Sequence, residues 1–424
     1  MKRFQQIKRF LHISELYADH CPYYAKVEPL LSHIRNISKK LYIPSSNVSV
    51  DEMMVRFSGH STHTIRIKNK PTPEGYKIFA LCDHGYTYTF LPTSRVHQNE
   101  EVQKVNGITY TGSVVLYLAL QLPYWKKTFN IFMDNFFSSI PLFSYLRAKN
   151  IGACGTVRSN SRKFPKELKV SKTAKIDWDT RSGVIVDDVL AVGWIDNGPV
   201  TMLTTIHGLK GDAWSIEKIR RKPRTTSLNA AKVREVFGNN SRKLLKIPCV
   251  VNDYNLHMGG VDIADQLRGY HSTQLTSRRN WMPLFFWLLD IVLVNSFQLA
   301  KLKGWSGSQV AFREELLWSL IKMAEEEEEE EEVDIQVQPS SKKIRITKNS
   351  TLDSLPAVRL KLGNHFPIHN SDRRTCIWCS LKVKNEDGNS LNAPETYVSC
   401  ELCNVHLCFN KTRNCFKNFH SLDS

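Results

Sequence analysis

The sequence is short of the features that mark exported and membrane proteins. The basic segment at residues 1–10 is not followed by an apolar stretch, so we expect no secretory signal. The longest hydrophobic run, at residues 281–297, contains Asp290 and Asn295 and is short for a membrane span. This run therefore predicts a buried core helix, and we expect no membrane partner.

Regular repeats and strong compositional bias are also lacking. No internal period of about 20–50 residues is visible, which argues against a solenoid or a propeller. Hydrophobic residues at 42% and charged residues at 23% are typical of a globular protein and exclude collagen, a coiled coil and wholesale disorder. A chain of 424 residues buries a sizeable core without disulfides and suggests roughly two or three domains.

Acidic residues are outnumbered. The chain has 41 Asp and Glu against 58 Lys and Arg, a net charge of +17, which favours nucleic acid first and an acidic membrane surface second as a partner. Basic segments at 158–166, 218–224 and 342–348 suit phosphate contacts or nuclear import, or form solvated faces. Trp281 could stack on a base, but it begins the hydrophobic run, which favours burial of its side chain. The candidate DNA-binding residues are Arg158, Arg162, Lys163, Arg220, Arg221, Arg278 and Arg279.

Cysteine is scarce over most of the chain and concentrated at its end. Cys21, Cys82, Cys154 and Cys249 are scattered, whereas six more fall in the last 49 residues. In a chain with no recognisable signal peptide, that clustering indicates metal rather than disulfides, and a reducing compartment.

The spacing within the tail is typical of a zinc module. Two C-x2-C pairs are separated by twenty residues and followed by further Cys and His. Two Zn²⁺ ions need eight ligands, and the eighth is His365 or His406, of which we favour His365. The other seven predicted ligands are Cys376, Cys379, Cys400, Cys403, Cys408, Cys415 and His420.

The spacing of hydrophobic residues changes along the chain between helical and strand periods and predicts a mixed α/β fold. Three antiparallel-type strands are followed by a helix, a strand, a helix and a strand, which matches a ribonuclease-H-like arrangement. A basic, turn-rich segment at 158–250 reads as a β-rich insertion, and helical patterns return near residue 259. The eight glutamates at 325–332 repel one another and predict a solvated, flexible linker.

Three aspartates lie within a predicted strand, at the end of another predicted strand and at the start of a predicted helix. Asp51 lies in a strand-like run, Asp134 directly follows the apolar run FNIFM, and Asp262 stands at the front of a predicted helix. Converging carboxylates suit two Mg²⁺ or Mn²⁺ ions about 4 Å apart, an arrangement that serves phosphodiester displacement. Alternatively, Asp51 is a surface or turn residue, Asp134 caps a helix beginning near Ser138, and Asp262 favours a helix N-terminus electrostatically.

Five stretches resemble the piggyBac superfamily of DDE transposases. They are VDEMMVRFSG at 50–59, FMDNFFSSIPL at 132–142, GTVRSNSRKFP at 155–165, VGWIDNGPVTMLTT at 192–205 and MGGVDIADQLRGYH at 258–271. The resemblance runs in order over roughly residues 45–302 and resumes in the cysteine-rich tail.

The resemblance implies a catalytic site and a reaction. The family's catalytic aspartates fall on Asp51, Asp134 and Asp262, and its additional active-site aspartate falls on Asp265. Asp51, Asp134 and Asp262 would hold two Mg²⁺ or Mn²⁺ ions that serve nicking of transposon ends, hairpin formation and transfer to TTAA targets. The resemblance also implies a homodimer on double-stranded DNA in the nucleus. The tail would recognise transposon-end DNA or, alternatively, contact chromatin as a protein-binding zinc module.

The resemblance also supplies a domain plan. Family members carry a long region before the first aspartate, whereas 50 residues precede Asp51 here. The alternative function is therefore a catalytically silent, transposase-derived DNA- or chromatin-binding protein. The expected segments are a remnant N-terminal helical dimerisation and DNA-binding region at 1–45, the first part of a ribonuclease-H-like core at 46–157, a β-rich insertion at 158–255, the last part of the core with a helical region at 256–320, an acidic and polar linker at 321–360 and a zinc domain at 361–424.

Overall fold

The chain divides into two compact units, Met1–Glu314 and Glu315–Ser424. The computed structural model describes residues 2–14, 24–68, 70–96, 98–170, 176–209, 214–225, 230–335, 357–360, 365–382 and 393–421.

The first unit combines eleven strands and eight helices over its described residues, and a ninth helix crosses into the second unit. The strands are β1 Asn47–Arg56, β2 Ile65–Arg66, β3 Glu74–Asp83, β4 Tyr86–Thr93, β5 Phe129–Met133, β6 Ile151–Thr156, β7 Arg181–Val186, β8 Val189–Ile195, β9 Pro199–Thr204, β10 Ser215–Arg221 and β11 Arg242–Pro248. The helices are α1 Lys2–Phe10, α2 Glu28–Leu41, α3 Tyr110–Ala119, α4 Ile140–Ala148, α5 Ala230–Phe237, α6 Cys249–His257, α7 Gly260–Tyr270, α8 Met282–Leu302 and α9 Gln309–Ile335.

A single mixed sheet organises this unit. Its order is β2-β3-β1-β5-β6-β9-β8-β7, and β4 also pairs with β3. The β1, β3 and β4 strands are antiparallel, whereas β5 runs parallel to both β1 and β6. The mixed α/β fold predicted from the sequence is confirmed. The continuous apolar run of β5 suits its central place, since a strand covered on both faces needs no polar alternation.

The segment predicted as an insertion is divided between two sheets. The β9 strand pairs antiparallel with β6, and β8 and β7 follow, so this part extends the main sheet. The β10 and β11 strands instead form a two-stranded sheet of their own. The sequence pattern predicted a β-rich segment but carried no information about strand partners, because pairing is decided by contacts distant in sequence.

Alternate side chains of β1 enter two different cores. Val48 and Val50 pack on the face covered by α3 and α4. Met53 and Val55 pack on the opposite face together with Trp287, where α2, α7 and α8 lie. Since successive strand residues point to opposite faces, Ser49 and Asp51 share the face that carries α7 and α8.

Helix α8 is the hydrophobic run of the sequence and lies largely inside the unit. It is long and apolar enough to cross a membrane, but 61% of its most apolar window is buried. Asp290 accepts hydrogen bonds from Ser272 Oγ and Thr273 N, both at 2.9 Å. The Asn295 amide accepts from Thr87 N at 2.8 Å and donates to Thr87 O at 2.9 Å. Both polar side chains therefore fasten neighbouring segments to a core helix, as the sequence predicted.

The predicted linker differs from the structure where the glutamates lie. Helix α9 continues through 325–332 to Ile335. Glutamate has a high intrinsic helix propensity, and extending an existing helix costs far less than starting one, so repulsion does not end it here. Residues 336–356, including the basic segment at 342–348, lie outside the described residues.

We predict that Asn295→Ala lowers the free energy of unfolding by about 3 kcal/mol, because the buried N–H and C=O of Thr87 lose their partner. Denaturant unfolding of the full chain measures this loss. The control Lys301→Ala changes an exposed residue of the same helix and should stay within about 0.5 kcal/mol of the parent. Equal small losses in both variants would contradict the role given to Asn295.

Candidate active site and metal centres

The strand register places Asp51 and Asp134 side by side. Parallel pairing of β1 with β5 sets Val50 opposite Met133, so Asp51 and Asp134 occupy the next position of each strand. Neighbouring strands lie about 4.8 Å apart, so these two carboxylates start from adjacent backbones. Asp51 is 8% exposed, whereas Asp134 is half-buried where β5 ends.

Helix α7 reaches the same strand because its first residue is glycine. A Cβ on Gly260 would lie 2.6 Å from Ser49 Oγ and 3.1 Å from Cys82 O, distances that no side chain tolerates without movement. The close approach lets Val261 N donate to Ser49 Oγ at 3.2 Å. Asp262, the next residue, is exposed in the first turn of this helix, which packs on the face of β1 that carries Ser49 and Asp51. The second glycine of the Gly-Gly-Val-Asp order thus has a direct structural reason.

Asp134 organises a turn rather than the following helix. Its Oδ1 accepts from Phe136 N at 2.8 Å, and its carbonyl accepts from Ser138 Oγ at 2.9 Å. Helix α4 begins later, after Ser139, so the alternative that Asp134 caps it is not met. Gly155 makes room for this turn, since a Cβ there would lie 2.4 Å from both Met133 O and Ser138 Oγ.

Burial and neighbouring charge disfavour ionisation of the two paired aspartates. Burial raises the pKa of Asp51 to about 8, with a further contribution from Glu52 and a smaller one from Asp134. Burial likewise raises the pKa of Asp134. A divalent cation between them would reverse this tendency, because it stabilises the charged form of both groups.

Glu52, Lys70 and Lys77 form an ion-pair cluster beside the aspartates. Lys70 Nζ lies 3.1 Å from Glu52 Oε1, and Lys77 Nζ lies 3.9 Å from Glu52 Oε2. Burial opposes ionisation of Glu52, but Lys77 and Lys70 outweigh it and lower the pKa of this carboxyl. The sequence analysis missed all three. Glu52 adjoins Asp51 in sequence but carried no motif of its own, and neither lysine belongs to a recognisable spacing.

Lys77 is held between aromatic rings. Its Nζ lies 4.3 Å from the centre of the Phe136 ring and 4.8 Å from that of Phe79. Burial lowers the pKa of Lys77, and Lys70 adds to that effect. Phe136 belongs to the Asp134 turn, so this contact connects the turn to the Glu52 cluster.

The three aspartates are neighbours without closing on a common point. Two groups of His, Cys and acidic residues in the described part of the chain have all their ligating atoms within 4.8 Å of one another, and both lie in the tail. Yet Lys70 interacts electrostatically with both Asp51 and Asp262, so one cation reaches both charges. Three hard oxygen ligands on a rigid strand, a strand end and a helix are the chemistry that Mg²⁺ or Mn²⁺ requires, although the side chains must rotate inward to share one ion.

Asp265, the fourth predicted catalytic residue, is engaged by an arginine. Arg268 Nη2 donates to Asp265 Oδ1 at 2.7 Å, and Arg268 Nε donates to the same oxygen at 3.1 Å. Arg268 is buried and also donates to Met54 O at 3.4 Å. In this arrangement Asp265 neutralises the arginine that holds α7 on β1. A catalytic role for Asp265 stays a prediction.

The candidate DNA-binding residues differ in what they contact. Arg158 donates to Asn135 Oδ1 at 2.9 Å and so lies beside the Asp134 turn. Lys163 is paired with Asp187 at 2.6 Å. Arg279 donates to the carbonyls of Lys8, Arg9 and Leu11 and lies over Trp281, which is buried, as the sequence favoured. Arg220 is bound by Asp196, and Arg162, Arg221 and Arg278 are exposed.

The tail brings all eight predicted zinc ligands into two groups of four. It contains β12 Pro367–Thr375, α10 Ile377–Lys382, β13 Glu395–Cys400 and α11 Cys415–Phe419. The β12 and β13 strands pair antiparallel, with a register shift between His369 and Arg374. One group is Cys376, Cys379, Cys408 and Cys415, and the other is His365, Cys400, Cys403 and His420.

The dimensions of both groups suit tetrahedral zinc. Cys379 Sγ lies 3.4 Å from Cys415 Sγ and 4.0 Å from Cys408 Sγ. Tetrahedral bonds of about 2.3 Å place two sulfur ligands about 3.8 Å apart. Burial raises the pKa of Cys379 to about 12, so this thiol loses its proton readily only when a metal ion replaces it. Either group could therefore hold one Zn²⁺ ion.

His365, not His406, completes the second group. His365 Nδ1 lies 3.4 Å from the Sγ atoms of both Cys400 and Cys403. His420 Nε2 lies 3.5 Å from Cys403 Sγ, while its Nδ1 lies 2.7 Å from Phe416 O, which fixes the ring. His406 is outside both groups, although it follows Cys403 closely in sequence.

We predict that Gly260→Ala lowers the free energy of unfolding by about 1–3 kcal/mol, because the added methyl group collides with Ser49 and forces α7 away from β1. It should also weaken Mn²⁺ binding to the full chain, measured by isothermal titration calorimetry, since Asp262 moves with the helix. The matched control is Gly259→Ala, where a Cβ meets no atom within 4 Å. Similar losses in both variants would refute the close-approach argument.

We predict two zinc ions per chain, counted by plasma mass spectrometry of protein purified without chelator. His365→Ala should reduce the count to about one, because its group of four loses a ligand, whereas His406→Ala should keep about two. The reverse result would assign the eighth ligand to His406.

Comparison with known proteins places the chain in a family. A sequence profile described as "Transposase IS4" matches residues 1–297. Human piggyBac transposable element-derived protein 2 is 27% identical over 314 residues, covering 71% of this chain and 48% of the relative. Human piggyBac transposable element-derived protein 3 is 26% identical over 313 residues, covering 70% and 48%. The chain thus spans about half the length of these curated relatives.

A solved structure has the same fold. The cryo-EM structure of a piggyBac transposase synaptic complex with hairpin DNA superposes with a TM-score of 0.59 at 21% identity, covering 96% of this chain and 77% of that chain. The family profile covers more than half of the sequence, and the relatives and the fold agree with it. The chain therefore belongs to the piggyBac family of DDE transposases.

Proposed function

We propose that the chain cleaves and transfers DNA strands at TTAA targets in a reaction that depends on divalent metal ions. The observation that carries this proposal is that three sequence-distant aspartates lie at two adjacent strand positions and in the first turn of the helix packed on one of those strands. Register places Asp134 beside Asp51, and the Ser49–Val261 hydrogen bond fixes the start of α7 over the same strand. A structural role alone does not explain why two adjacent carboxyl groups, one buried and one half-buried, adjoin the strand on which the helix that carries Asp262 packs.

In this proposal Asp51, Asp134 and Asp262 hold two Mg²⁺ or Mn²⁺ ions. When bound, such ions activate an attacking hydroxyl and stabilise the leaving oxygen in an in-line displacement at phosphorus. Asp51 and Asp134 would contribute oxygen ligands from adjacent strand positions, and Asp262 would complete the set from α7 once the side chains rotate inward. The Glu52 cluster keeps Lys70 and Lys77 close by, and Lys77 braces the Asp134 turn through Phe136.

Further parts of the proposal concern DNA. Arg158 is held beside the Asp134 turn, where it suits a phosphate of the cleaved strand. The tail has thirteen Lys and Arg against seven Asp and Glu from Ser340 onward, which supports recognition of transposon-end DNA. The same proposal places the protein in the nucleus as a homodimer on DNA. It also extends to contact of the zinc tail with chromatin.

A second candidate is a DNA- or chromatin-binding protein without strand cleavage. Two observations favour it: Asp51, Asp134 and Asp262 do not each offer an oxygen within 4.8 Å of the others, and Asp265 is occupied by Arg268. In that case the zinc tail and the basic surfaces retain DNA affinity, while the carboxylate site is a remnant.

The test is nicking of a labelled duplex that ends in the element's own terminal repeat, by the full chain with Mg²⁺. Asp134→Asn should reduce the nicking rate roughly 100-fold or more, because it removes a charged metal ligand worth about 3 kcal/mol of transition-state stabilisation. Binding of the same duplex should stay within about 2-fold of the parent.

The matched control is Asp188→Asn, a change at an exposed aspartate in the β7–β8 turn that should leave nicking unaltered. If the parent chain binds the duplex but nicks no strand with Mg²⁺ or Mn²⁺, the enzyme proposal fails and the second candidate is supported.

A further inference from the structure

The β10–β11 ribbon is the most basic isolated element in the described part of the first unit. The two strands pair from Ser215 with Pro248 to Arg221 with Arg242 and have no third strand in the described structure. They contain six basic residues and one acidic residue. A two-stranded sheet is marginally stable by itself, so its faces need support from elsewhere.

The inner face of the ribbon is supported by the protein. Arg220 donates two hydrogen bonds to Asp196, at 2.8 and 2.7 Å, and stacks on Trp194. Lys218 donates to Asn252 Oδ1 at 2.8 Å, and Lys243 donates to Val236 O at 2.7 Å. Arg220, which the sequence proposed for DNA contact, is therefore used within the fold.

The outer face has a different pattern of pairs. Glu217 lies opposite Lys246. Ile219 lies opposite Leu244, and these side chains are 67% and 55% exposed. At the far end, Arg221 lies directly opposite Arg242, and both are exposed. Like charges directly opposite each other destabilise an antiparallel pair, so this end gains stability when an anion lies between them.

Duplex DNA matches the outer face in charge and in size. A two-stranded β-ribbon enters the major groove, which is about 12 Å wide. Arginine binds phosphate oxygens through two parallel N–H groups. An aliphatic pair between the charged ends contacts the thymine methyl groups that line the groove. An apolar partner protein would satisfy Ile219 and Leu244 but would leave the Arg221–Arg242 pair without a counter-charge.

The ribbon is also continuous with the candidate active site. Strand β11 ends at Pro248, which is the N-cap of α6. Helix α6 ends at His257, and α7 with Asp262 begins at Gly260. DNA held by the ribbon is thus held by the segment that leads directly into the catalytic helix.

We propose that the outer face of the β10–β11 ribbon binds the major groove of duplex DNA, with Arg221 and Arg242 on phosphates and Ile219 and Leu244 against base edges. The choice of DNA as partner rests on the proposed function, but binding by the ribbon does not require strand cleavage. The face is distinct from the Arg158 contact beside Asp134.

The test measures duplex binding by the full chain at several salt concentrations, by fluorescence anisotropy. Arg221→Ala with Arg242→Ala should reduce the slope of log K against log salt by about 1.8, since each lost phosphate contact removes about 0.9. Ile219→Ala with Leu244→Ala should weaken binding about 5-fold and leave the slope unchanged, because no charge is removed. Thermal unfolding checks that each variant is folded.

The matched control is Arg95→Ala with Lys104→Ala, which removes the same charge from exposed positions outside the ribbon and should leave the slope nearly unchanged. Equal slopes for the control and the Arg221, Arg242 variant would overturn the inference while leaving the nicking test unaffected. A sedimentation mass that falls when Ile219 and Leu244 are replaced would also overturn it, in favour of a second copy of the chain. A parent chain that binds no duplex overturns it as well.

Discussion

The close approach of α7 to β1 is the constraint on which the candidate active site depends. It exists because Gly260 has no side chain and because Ser49 presents a hydroxyl to Val261 N. Arg268 holds the same helix farther along the strand through Met54 O. Asp262 is itself exposed, so this helix contact is what ties it to the strand that carries Asp51, and the sheet alone supplies two of the three carboxylates.

Charge compensation is the second organising feature of the site. Four carboxyl groups lie on or beside β1, and burial opposes the charged form of Asp51 and Asp134. Lys70 and Lys77 pair with Glu52 and so reduce the repulsion between its carboxylate and the neighbouring aspartates. The proposed function requires this balance, because excess negative charge would repel DNA phosphates and excess positive charge would repel divalent metal ions.

Parts of this arrangement were predictable from sequence because local patterns determine them. The apolar run before Asp134 predicted a buried strand, and the spacing of the tail predicted its eight ligands, which the structure brings together in two groups. The partners of β7–β9, the pairing of Arg220 with Asp196 and the helical state of the glutamate run depend on contacts or helix extension that no local pattern specifies. The Glu52 cluster was missed because its members come from separate strands and a loop.

The two ligand groups of the tail alternate along the chain rather than following one another. One group takes both cysteines of the pair at 376 and 379 and ends with Cys415. The other takes both cysteines of the pair at 400 and 403 and ends with His420. A protein that ended at Asn414 would therefore lose Cys415 from one group and His420 from the other. For the same reason, neither half of the tail would be able to assemble as an independent module. Sequence changes in this segment are consequently subject to an all-or-none requirement, unlike changes in a string of separate zinc fingers.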